Sequence, residues 1–257
     1  MVQRAKKFVF FTLFIGSYFI TSLFIIFINL FSIERARPEL IRNISRHAKL
    51  ALKLFNIKVK KISYMKEIDE NYLLVSNHLS YLDIFVIASE FPACFVTSFE
   101  MKETPFLGQL CSIGGCLFVE RRSKKGISNE VKNLTSALDK NMNVVIFPEA
   151  TSTNGEQLLK FRRPLFQAAV DAGKPILPLC LNYKRVDQRE LNLNNRDLVF
   201  WYGDQTFFPH FLNLLNVNQI EVELSILDPF FAEAEMSKNE LAEKSFQLVQ
   251  EHYRPVI

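Results

Sequence analysis

A long uncharged run near the start of the chain limits what the rest of the protein can be. No charged side chain occurs from Phe8 to Ile33, and three basic residues precede the run: Arg4, Lys6 and Lys7. As an α-helix at about 1.5 Å per residue, the run would be roughly 39 Å long, more than the ~30 Å hydrocarbon core of a bilayer. It is too long for the apolar part of a signal peptide, and no small-residue cleavage pattern follows it. We therefore expect the run to stay attached and to bring the protein to a membrane.

Polar residues inside the run leave its path through the bilayer open. Gly16 is accompanied by hydroxyl and amide side chains: Ser17, Thr21, Ser22 and Asn29. A segment of this kind could cross the bilayer, or it could bend and lie partly in one leaflet. Basic residues flank both ends, so the positive-inside rule does not decide the orientation.

The next segment, Glu34 to Phe55, has the pattern of a basic amphipathic helix. One stripe is apolar: Ile41, Ile44, Ala48, Leu52 and Phe55. A second stripe, roughly 130° away at 100° per residue, is basic: Arg42, Arg46, Lys49 and Lys53. Such a helix suits the surface of an anionic bilayer, although a helix packed on a globular domain has the same pattern. The neighbouring uncharged run favours the bilayer, so we predict a membrane-anchoring part at residues 1–56 and a separate α/β domain at 57–257.

From Ile57 onward, short apolar runs alternate with helical periodicity. The strand-like runs are Ile57–Ile62, Tyr72–Val75, Cys94–Thr97, Cys116–Val119, Val144–Phe147, Ile176–Leu181, Leu198–Tyr202 and Ile220–Ile226. The helical faces are Ile127, Val131, Leu134 and Leu138; Leu165, Ala168, Ala169 and Ala172; and a final helix from about Ser237 to Tyr253. This alternation predicts an α/β fold with a mainly parallel central sheet flanked by helices, preceded by N-terminal membrane-associated helices.

Length and composition narrow the class of protein. The 257 residues carry a formal charge of +4, which suits one sizeable α/β domain with a short appendage. The four cysteines show no metal-ligand spacing and fit a reducing compartment, although they could form two disulfides: Cys94, Cys111, Cys116 and Cys180. No nucleic-acid-binding signature accompanies the basic residues, so nucleic acid is not expected as a partner.

The segment Asn77-His78-Leu79-Ser80-Tyr81-Leu82-Asp83 lies where a buried strand-like run gives way to a short helix. Working residues on a parallel sheet usually occupy such positions. Five residues on an α-helix turn through about 500°, so His78 and Asp83 can meet only if His78 lies in the loop and Asp83 in the first helical turn, with Ser80 as N-cap. An imidazole held by a carboxylate is a general base with a fixed tautomer. The alternative is that Asp83 only caps the helix and His78 only fills the loop.

Three later stretches could place further groups at the same edge of the sheet. Gly114 to Arg122 ends a strand with two arginines, and Phe147 to Ser152 ends another with Glu149. The run Ile176 to Leu179 is broken by Pro178. Each stretch is weak alone, because charges at strand ends are ordinarily surface charges.

Together and in this order, the four stretches resemble the glycerolipid acyltransferase family typified by bacterial 1-acylglycerol-3-phosphate acyltransferase. The resemblance covers roughly Leu74 to Leu181. The family motifs are Asn-His-x-x-x-x-Asp, Gly-x-x-Phe-x-x-Arg, Phe-Pro-Glu-Gly-Thr-Arg and a proline in an apolar run. The matching residues, in motif order, are Asn77, His78 and Asp83; Gly115, Phe118 and Arg121; Phe147, Pro148, Glu149 and Thr151; and Pro178.

This resemblance implies acyl transfer to a lipid alcohol. His78 would take the proton from a lyso-lipid hydroxyl, Asp83 would hold the ring, and the alkoxide would attack an acyl thioester. Backbone N–H groups would stabilise the oxyanion. No bound cofactor or metal is implied, since one histidine with scattered carboxylates makes a poor metal site. The donor would be acyl-CoA or acyl-acyl-carrier-protein.

The implied acceptor is lysophosphatidate, which would give phosphatidate. Arg121 would bind the phosphate, and the other candidate substrate-binding residues are Asn77, Glu149, Thr151, Lys160 and Arg162. The family glycine and arginine of the third motif are replaced by Ala150 and Ser152. Trp201 to Asp204 resembles the branch that acts on lyso-ornithine lipid, so that acceptor, or another lysophospholipid, is an alternative. A non-catalytic lipid-binding scaffold on the same fold is a second alternative.

The expected partners are the bilayer, the lyso-phospholipid acceptor and the acyl donor. Acyl thioesters are made in the cytoplasm, so we expect the inner membrane, with the catalytic domain on its cytoplasmic face. The basic run from Arg121 to Lys125 could steer an anionic donor, touch the membrane or form a solvated loop.

Overall fold

The computed structural model describes residues 2–65, 70–120, 127–233 and 236–257, with side chains from residue 4 onward. Its α-helices are α1 (Val2–Ile28), α2 (Ile33–Leu54), α3 (Leu82–Glu90), α4 (Phe99–Glu103), α5 (Leu107–Ile113), α6 (Ile127–Asp139), α7 (Gln167–Ala172), α8 (Phe207–Leu214) and α9 (Lys238–His252). Its strands are β1 (Ile57–Ser63), β2 (Leu73–Ser76), β3 (Ala93–Ser98), β4 (Leu117–Val119), β5 (Asn143–Ile146), β6 (Ile176–Val186), β7 (Arg189–Glu190) and β8 (Ile220–Ile226). Short 3₁₀ turns lie at Pro164–Phe166 and Arg196–Leu198.

The strands form one sheet in the order β1-β8-β6-β2-β5-β3-β4, with the short β7 paired to β6. Most neighbouring strands run parallel, whereas β7 and β8 pair with β6 in antiparallel fashion. The predicted α/β fold with a mainly parallel sheet is confirmed. Because β2 lies at the centre, between β5 and β6, the loop that follows it opens at the middle of the carboxyl edge of the sheet.

Helices cover both faces of this sheet. Leu74 of β2 packs in a core that includes residues of α2, α3 and α8. Its neighbours Leu73 and Val75 point to the opposite face and pack with α6, α7 and α9. Strands buried on both faces read as continuous apolar runs rather than as alternating ones, which explains the pattern seen in the sequence.

The first two helices form an antiparallel hairpin. A turn joins them at Leu30 and Phe31, which both have positive φ. The amide of Asn43 on α2 donates to Thr21 Oγ1 and Ser22 Oγ of α1, each at 3.0 Å. Other polar contacts join the helices from Ser17 to His47 and from Asn29 to Glu39. The polar residues of the uncharged run are therefore satisfied by α2.

The opposite side of α1 is apolar and exposed. Its exposed large side chains are Phe8, Val9, Phe10, Leu13, Ile20, Leu23, Phe24, Phe27 and Ile28. Within the part of the chain that the structure describes, α1 is the one helix long and apolar enough to cross a membrane by length and composition. An exposed apolar surface of this size is a mark of an interaction surface.

The amphipathic helix α2 packs directly on the α/β domain. Ala48, Ala51 and Phe55 lie in the core shared with α3 and the sheet, whereas the basic stripe is exposed: Arg42, Arg46, Lys49 and Lys53. The structure thus has the domain-packed arrangement that the amphipathic pattern also allowed. A division of the chain at residue 56 stays a prediction.

One predicted strand is wrong. Leu198–Tyr202 contains no strand, because its backbone bonds to a turn and a loop rather than to the sheet. The N–H groups of Val199 and Phe200 bond to the Arg196 carbonyl, and that of Trp201 bonds to the Leu79 carbonyl. Val199 and Phe200 are nevertheless fully buried. An apolar run that is buried without alternation does not reveal its backbone conformation.

Candidate active site

His78 lies in the loop between β2 and α3, at the carboxyl edge of the sheet. The loop is short because the buried strand ends at Ser76 and the helix begins at Leu82. Most of the loop is buried, but the His78 side chain keeps 18% of its surface exposed. This position gives the imidazole access to a cavity while its backbone stays fixed in the core.

The carboxylate of Asp83 holds the His78 ring. His78 Nδ1 lies 2.9 Å from Asp83 Oδ2, and Asp83 is fully buried. Because an ionised carboxylate can only accept hydrogen bonds, Nδ1 is assigned as the N–H donor, which leaves Nε2 as the basic nitrogen. The pair therefore has the geometry of a general base with a fixed tautomer.

Asp83 also organises the start of the helix, although not as the sequence predicts. Its Oδ2 accepts the backbone N–H groups of Leu79 at 2.7 Å and Ser80 at 2.9 Å. The Asp83 N–H does not donate to the Ser80 hydroxyl oxygen, the expected N-cap bond, because it donates to the Ser80 carbonyl. The Ser80 hydroxyl oxygen accepts the Leu82 N–H at 3.4 Å instead. Tyr81, without a side-chain cap, is the flanking residue of α3. The Asp83 carboxylate therefore accepts more of the hydrogen bonds from this loop than the Ser80 hydroxyl does.

Hydrogen bonds with residues of other elements hold the loop that contains Asn77 and His78. Glu149, after β5, accepts the His78 N–H at 2.8 Å and the Leu159 N–H at 2.9 Å. The Thr153 N–H donates to the His78 carbonyl at 3.0 Å. Asn77 is buried, and its amide exchanges two hydrogen bonds with the backbone of Leu181 on β6. These contacts fix the backbone on both sides of the imidazole.

The environment of Glu149 perturbs its ionisation. Burial raises the pKa of Glu149 to about 7, and the negative charge of Asp83 adds to that rise. The N–H groups of Leu159 and His78 act in the opposite direction and favour the ionised form. The Glu149 carboxyl group therefore titrates near neutrality while it holds the backbone of the His78 loop.

An apolar cavity of about 230 Å³ starts beside His78. The imidazole stacks on Phe147, with ring centroids 4.0 Å apart and planes 16° from parallel. The cavity runs between five regions of the fold. Its lining includes Phe11, Phe14 and Tyr18 of α1; Ile44, His47 and Ala48 of α2; Ile84 and Phe85 of α3; Met101, Leu107, Leu110 and Cys111 of α4 and α5; and Trp201, Phe207 and Phe211 near α8. Its size and lining suit a hydrocarbon chain.

A smaller, more polar cavity of about 90 Å³ lies on the other side of Phe147 and Ala150. Its polar wall contains Arg162 together with Glu120 and Glu130. Arg162 itself is exposed, and so are Lys160 and Thr151. Among the predicted substrate-binding residues, Asn77 adjoins His78 in the loop, Glu149 accepts the His78 N–H, and Arg162 lines this second cavity. Arg121 lies outside the described residues.

The two departures from the third family motif have visible local roles. Ala150 has φ of 62°, the left-handed region in which glycine is favoured. The Ser152 hydroxyl donates to the Trp201 carbonyl at 2.5 Å. Ser152, where the family carries an arginine, therefore ties the loop after β5 to the segment that contains Trp201.

A second histidine lies nearby but differs in its partner. His210 of α8 is buried, and its Nδ1 lies 3.0 Å from the Tyr81 hydroxyl. Burial lowers the pKa of His210. Within the described ranges, no three His, Cys, Asp or Glu side chains form a group that could hold a metal ion.

The sequence did not predict several contacts of the His78 loop and of Asp83. Tyr183 on β6 donates to Asp83 Oδ1 at 2.7 Å. The stack of His78 on Phe147 and the bond from Thr153 are two more contacts of this kind. All three come from residues at least 69 positions away (Phe147 to His78), so local pattern carried no signal for them.

Comparisons with known proteins agree with the geometry. Residues 56–182 match the family model described as Acyltransferase. The lyso-ornithine lipid O-acyltransferase of Brucella abortus is 28% identical over 201 residues, which cover 76% of this chain and 75% of that protein. The 1-acyl-sn-glycerol-3-phosphate acyltransferase of Neisseria gonorrhoeae is 37% identical over 111 residues, which cover 43% of this chain and 44% of that protein.

The fold has a solved counterpart. The crystal structure of the 1-acyl-sn-glycerophosphate acyltransferase from Thermotoga maritima superposes with a TM-score of 0.61 and covers 97% of this chain and 96% of that one. The two sequences are 20% identical in this superposition, so the likeness concerns the fold. It includes the N-terminal helices as well as the sheet.

Proposed function

The chain belongs to the acyltransferase family, and from that premise we propose that it transfers a fatty acyl group from a thioester to the hydroxyl of a lyso-lipid. The observation that carries this proposal is the His78–Asp83 pair, at 2.9 Å, beside an apolar cavity. A non-catalytic scaffold would not require a buried carboxylate to fix the imidazole of an accessible histidine. The donor is an acyl-CoA or an acyl-acyl-carrier-protein, and no bound cofactor takes part.

The reaction proceeds by direct transfer. Nε2 of His78 takes the proton from the acceptor hydroxyl as its oxygen attacks the thioester carbonyl carbon. The tetrahedral intermediate then expels the thiolate, which takes the proton from the imidazolium. Asp83 stabilises the imidazolium between the two steps, and the stack on Phe147 fixes the plane of the ring.

The large cavity would hold the acyl chain of the donor. Its wall is almost entirely apolar, and His78 is one of the few polar residues that line it. The thioester carbonyl would then lie next to the imidazole while the hydrocarbon points towards α1 and α2. Burial of each methylene group would contribute about 0.8 kcal/mol to binding.

For the acceptor we propose lysophosphatidate, with phosphatidate as the product. Arg162 lines the polar cavity beside Phe147, and a guanidinium suits bidentate binding of a phosphate. Lys160 and Thr151 are also exposed, and with Arg121 they complete the candidate set. The 37% identity to the Neisseria gonorrhoeae relative supports this choice.

Lyso-ornithine lipid is the second candidate acceptor. Ser152 bonds to the Trp201 carbonyl in place of the family arginine, so this chain has lost one phosphate-binding cation. The Brucella abortus relative, which aligns over the longer region, bears the name of that activity. The two acceptors differ in head-group charge, and a direct competition assay separates them.

In this proposal Asn77 and Glu149 do not contact the substrate directly. Both amide atoms of Asn77 bond to Leu181, and Glu149 binds the N–H groups of His78 and Leu159. We assign both side chains to holding the catalytic loop. Exposed cations and the Thr151 hydroxyl remain for the acceptor.

Attachment to the bilayer would occur through the exposed face of α1, with the hairpin lying in one leaflet. The hydrogen bonds from Asn43 to Thr21 and Ser22 hold α1 against α2, and α2 bears four exposed basic residues that suit anionic head groups. A spanning α1 would have to give up these bonds. The inner membrane, with the domain on the cytoplasmic side, remains part of this proposal.

A labelling experiment tests the membrane arrangement. In a variant whose native cysteines are replaced by serine, Ala5→Cys reports the N-terminal end of α1 and Leu30→Cys reports the hairpin turn. An impermeant maleimide added to inside-out vesicles should label both positions if the hairpin lies in the cytoplasmic leaflet. Labelling of position 30 alone would mean that α1 spans the bilayer. Extraction by alkaline carbonate without detergent would refute stable insertion of any kind.

One assay panel tests the enzymatic proposal. Purified protein in detergent is offered lysophosphatidate or lyso-ornithine lipid, each with acyl-CoA or acyl-acyl-carrier-protein. We expect acylation of lysophosphatidate to be faster, and acylation to depend on His78, with His78→Ala as the control. A preference for lyso-ornithine lipid would overturn the acceptor but not the reaction. Equal activity of wild type and His78→Ala would overturn the mechanism, and no acylation of any lyso-lipid would favour the scaffold.

A further inference from the structure

Tyr183 completes the hydrogen bonds of the Asp83 carboxylate. Its hydroxyl donates to Oδ1 at 2.7 Å. The other oxygen, Oδ2, accepts from His78 Nδ1 and from the backbone N–H groups of Leu79 and Ser80. One oxygen therefore serves the catalytic loop, and the other is held from β6, on a different part of the sheet.

We propose that Tyr183 is a positioning residue for acyl transfer, which acts through Asp83 to set the orientation and basicity of the His78 imidazole. This inference rests on the proposed function, because it concerns the same reaction. It adds a residue that lies outside the four family motifs and that touches neither the ring nor the cavity lining.

The surroundings of Tyr183 fit a rigid donor. The side chain is 5% exposed, and its ring packs edge-on against Phe200 at 5.3 Å. Burial raises the pKa of the Tyr183 phenol, and the charge of Asp83 raises it further. The hydroxyl therefore keeps its proton throughout the neutral range and always presents a donor to the carboxylate.

This donor has two physical consequences for the pair. It fixes the carboxylate plane, so that Oδ2 stays directed at Nδ1 of His78. It also withdraws charge from the carboxylate, which moderates how strongly the imidazolium is stabilised. A base that holds its proton too tightly would be protonated at working pH and would return the proton to the leaving thiolate slowly.

Other titratable groups face the His78–Asp83 pair from the surrounding elements, and the substitution Tyr183→Phe does not remove them. Glu149 bonds to the His78 backbone from the loop after β5. The remaining groups are Tyr81 in the catalytic loop, His210 of α8 behind it, Tyr253 after α9, and His47, Tyr18, Cys111 and Cys116 around the shared cavity. Tyr183→Phe leaves all of them in place, so a change in the pH profile reports the lost hydroxyl.

The experiment compares Tyr183→Phe with a matched removal of another buried hydroxyl. Tyr253 is also buried, and its hydroxyl donates at 2.8 Å to the Gly155 carbonyl rather than to the Asp83 carboxylate. We expect kcat of Tyr183→Phe to fall about tenfold, the loss of one hydrogen bond to a charged group, with KM changed by less than about twofold. The acid limb of the kcat/KM profile should move upward by roughly half a pH unit, because the freer carboxylate favours the protonated ring. Tyr253→Phe should show neither effect.

Two further measurements keep the test independent of folding and of the assigned substrate. Nuclear magnetic resonance of histidine-labelled protein, with the His78 signal identified by His78→Gln, should show the His78 titration midpoint moving upward in Tyr183→Phe. In an Asp83→Asn background, adding Tyr183→Phe should change kcat by less than about twofold. An unchanged titration, with a kcat loss no larger than in Tyr253→Phe, would overturn the inference. If the wild-type protein acylates no lyso-lipid, the proposed function fails, and the His78 titration alone still decides whether Tyr183 acts on the ring.

Discussion

His78 and His210 are two histidines near Tyr81, one partly exposed and one buried, and they differ in what their Nδ1 atoms contact. His78 Nδ1 bonds to the fully buried carboxylate of Asp83, whereas His210 Nδ1 bonds to the Tyr81 hydroxyl. The His78 side chain opens to the apolar cavity, and His210 is 6% exposed. A charged partner and a path to substrate distinguish a base from a histidine that completes a core.

The difference extends to the backbone around each ring. The His78 loop is fixed by bonds to Glu149 and Thr153, and by bonds from its own Asn77 to Leu181 on β6. His210 lies inside α8, where the helix itself fixes the backbone. Holding a loop residue as firmly as a helical one therefore requires several long-range hydrogen bonds. These hydrogen bonds indicate that the position of the His78 backbone has to be fixed closely.

The largest expected effect separates the two rings by activity. We predict that His78→Gln lowers kcat by about 10²- to 10⁴-fold, the usual contribution of a general base. His210→Gln should lower kcat by less than about fivefold, since the ring has no carboxylate partner and lies outside the cavity lining. Steady-state kinetics with lysophosphatidate check both values. Equal losses in the two variants would remove the distinction.

The next prediction concerns the carboxyl group that clamps the His78 loop. Burial raises the pKa of Glu149 to about 7. A carboxyl group whose pKa is raised on folding stabilises the fold below its unfolded pKa, and that contribution is lost as pH rises through the folded value. The free energy of unfolding should thus fall by roughly 3 kcal/mol between about pH 4.5 and 7.5 on account of this group.

Glu149→Gln should flatten that slope, because the amide does not titrate. Chemical denaturation at a series of pH values measures it, and Glu156→Gln, at an exposed position, is the matched control. A slope that is the same in wild type and Glu149→Gln would show that the carboxyl group keeps an ordinary ionisation. The backbone N–H of His210 bonds instead to the Thr206 carbonyl, so a change of the His210 side chain should leave the contribution of Glu149 to this slope in place.

Removal of the Tyr81 hydroxyl, which contacts His210, should have a smaller effect. Tyr81→Phe takes away the partner of His210 Nδ1 while leaving the bond between His78 and Asp83 in place. We expect a loss of about 1 kcal/mol in the free energy of unfolding, typical for one buried hydrogen bond. Thermal or denaturant unfolding checks the value. A fall in kcat comparable with that of His78→Gln would mean that Tyr81 belongs to the reaction instead.

The smallest effect should appear at acid pH. Burial lowers the pKa of His210, so its neutral form stabilises the fold above the unfolded pKa of about 6.5, and that contribution is lost as pH falls through the lower folded value. His210→Gln should weaken the decline of stability below about pH 6.5. Unfolding of the two proteins at pH 5 and pH 7 measures the difference. An identical decline in both would assign the acid sensitivity to other groups.

Much of the fold followed from the sequence, because its strands are buried on both faces. The runs at Ile57–Ile62 and Ile220–Ile226 lie within observed strands, as do most of the others. Leu198–Tyr202 failed because side-chain burial alone made it look like a strand. The antiparallel pairing of β8 with β6 was equally invisible, since hydrophobic pattern says nothing about strand direction.

At the site, sequence motifs identified the reacting pair but not its supports. The spacing of His78 and Asp83 left open whether they pair, and the family resemblance favoured the pair; the structure places Nδ1 2.9 Å from the carboxylate. Tyr183 reaches Asp83 from 100 residues away and looks like an ordinary core residue. The family motif made Glu149 a candidate for substrate binding, but the sequence gave no sign of its bonds to the His78 and Leu159 N–H groups. Long-range contacts of this kind depend on register and cannot be read from composition or periodicity.

The helix with the exposed apolar face also forms part of the wall of the cavity that we propose for the acyl chain. Phe11 and Phe14 of α1 line the cavity that begins at His78, and Phe11 packs on Phe211 at 4.2 Å. A shortened, detergent-free form without residues 2–28, of the kind often prepared for solution work, would have an open trough in place of an enclosed space. Chain-length selectivity measured on such a form would describe the trough, and comparisons between species should use the intact hairpin.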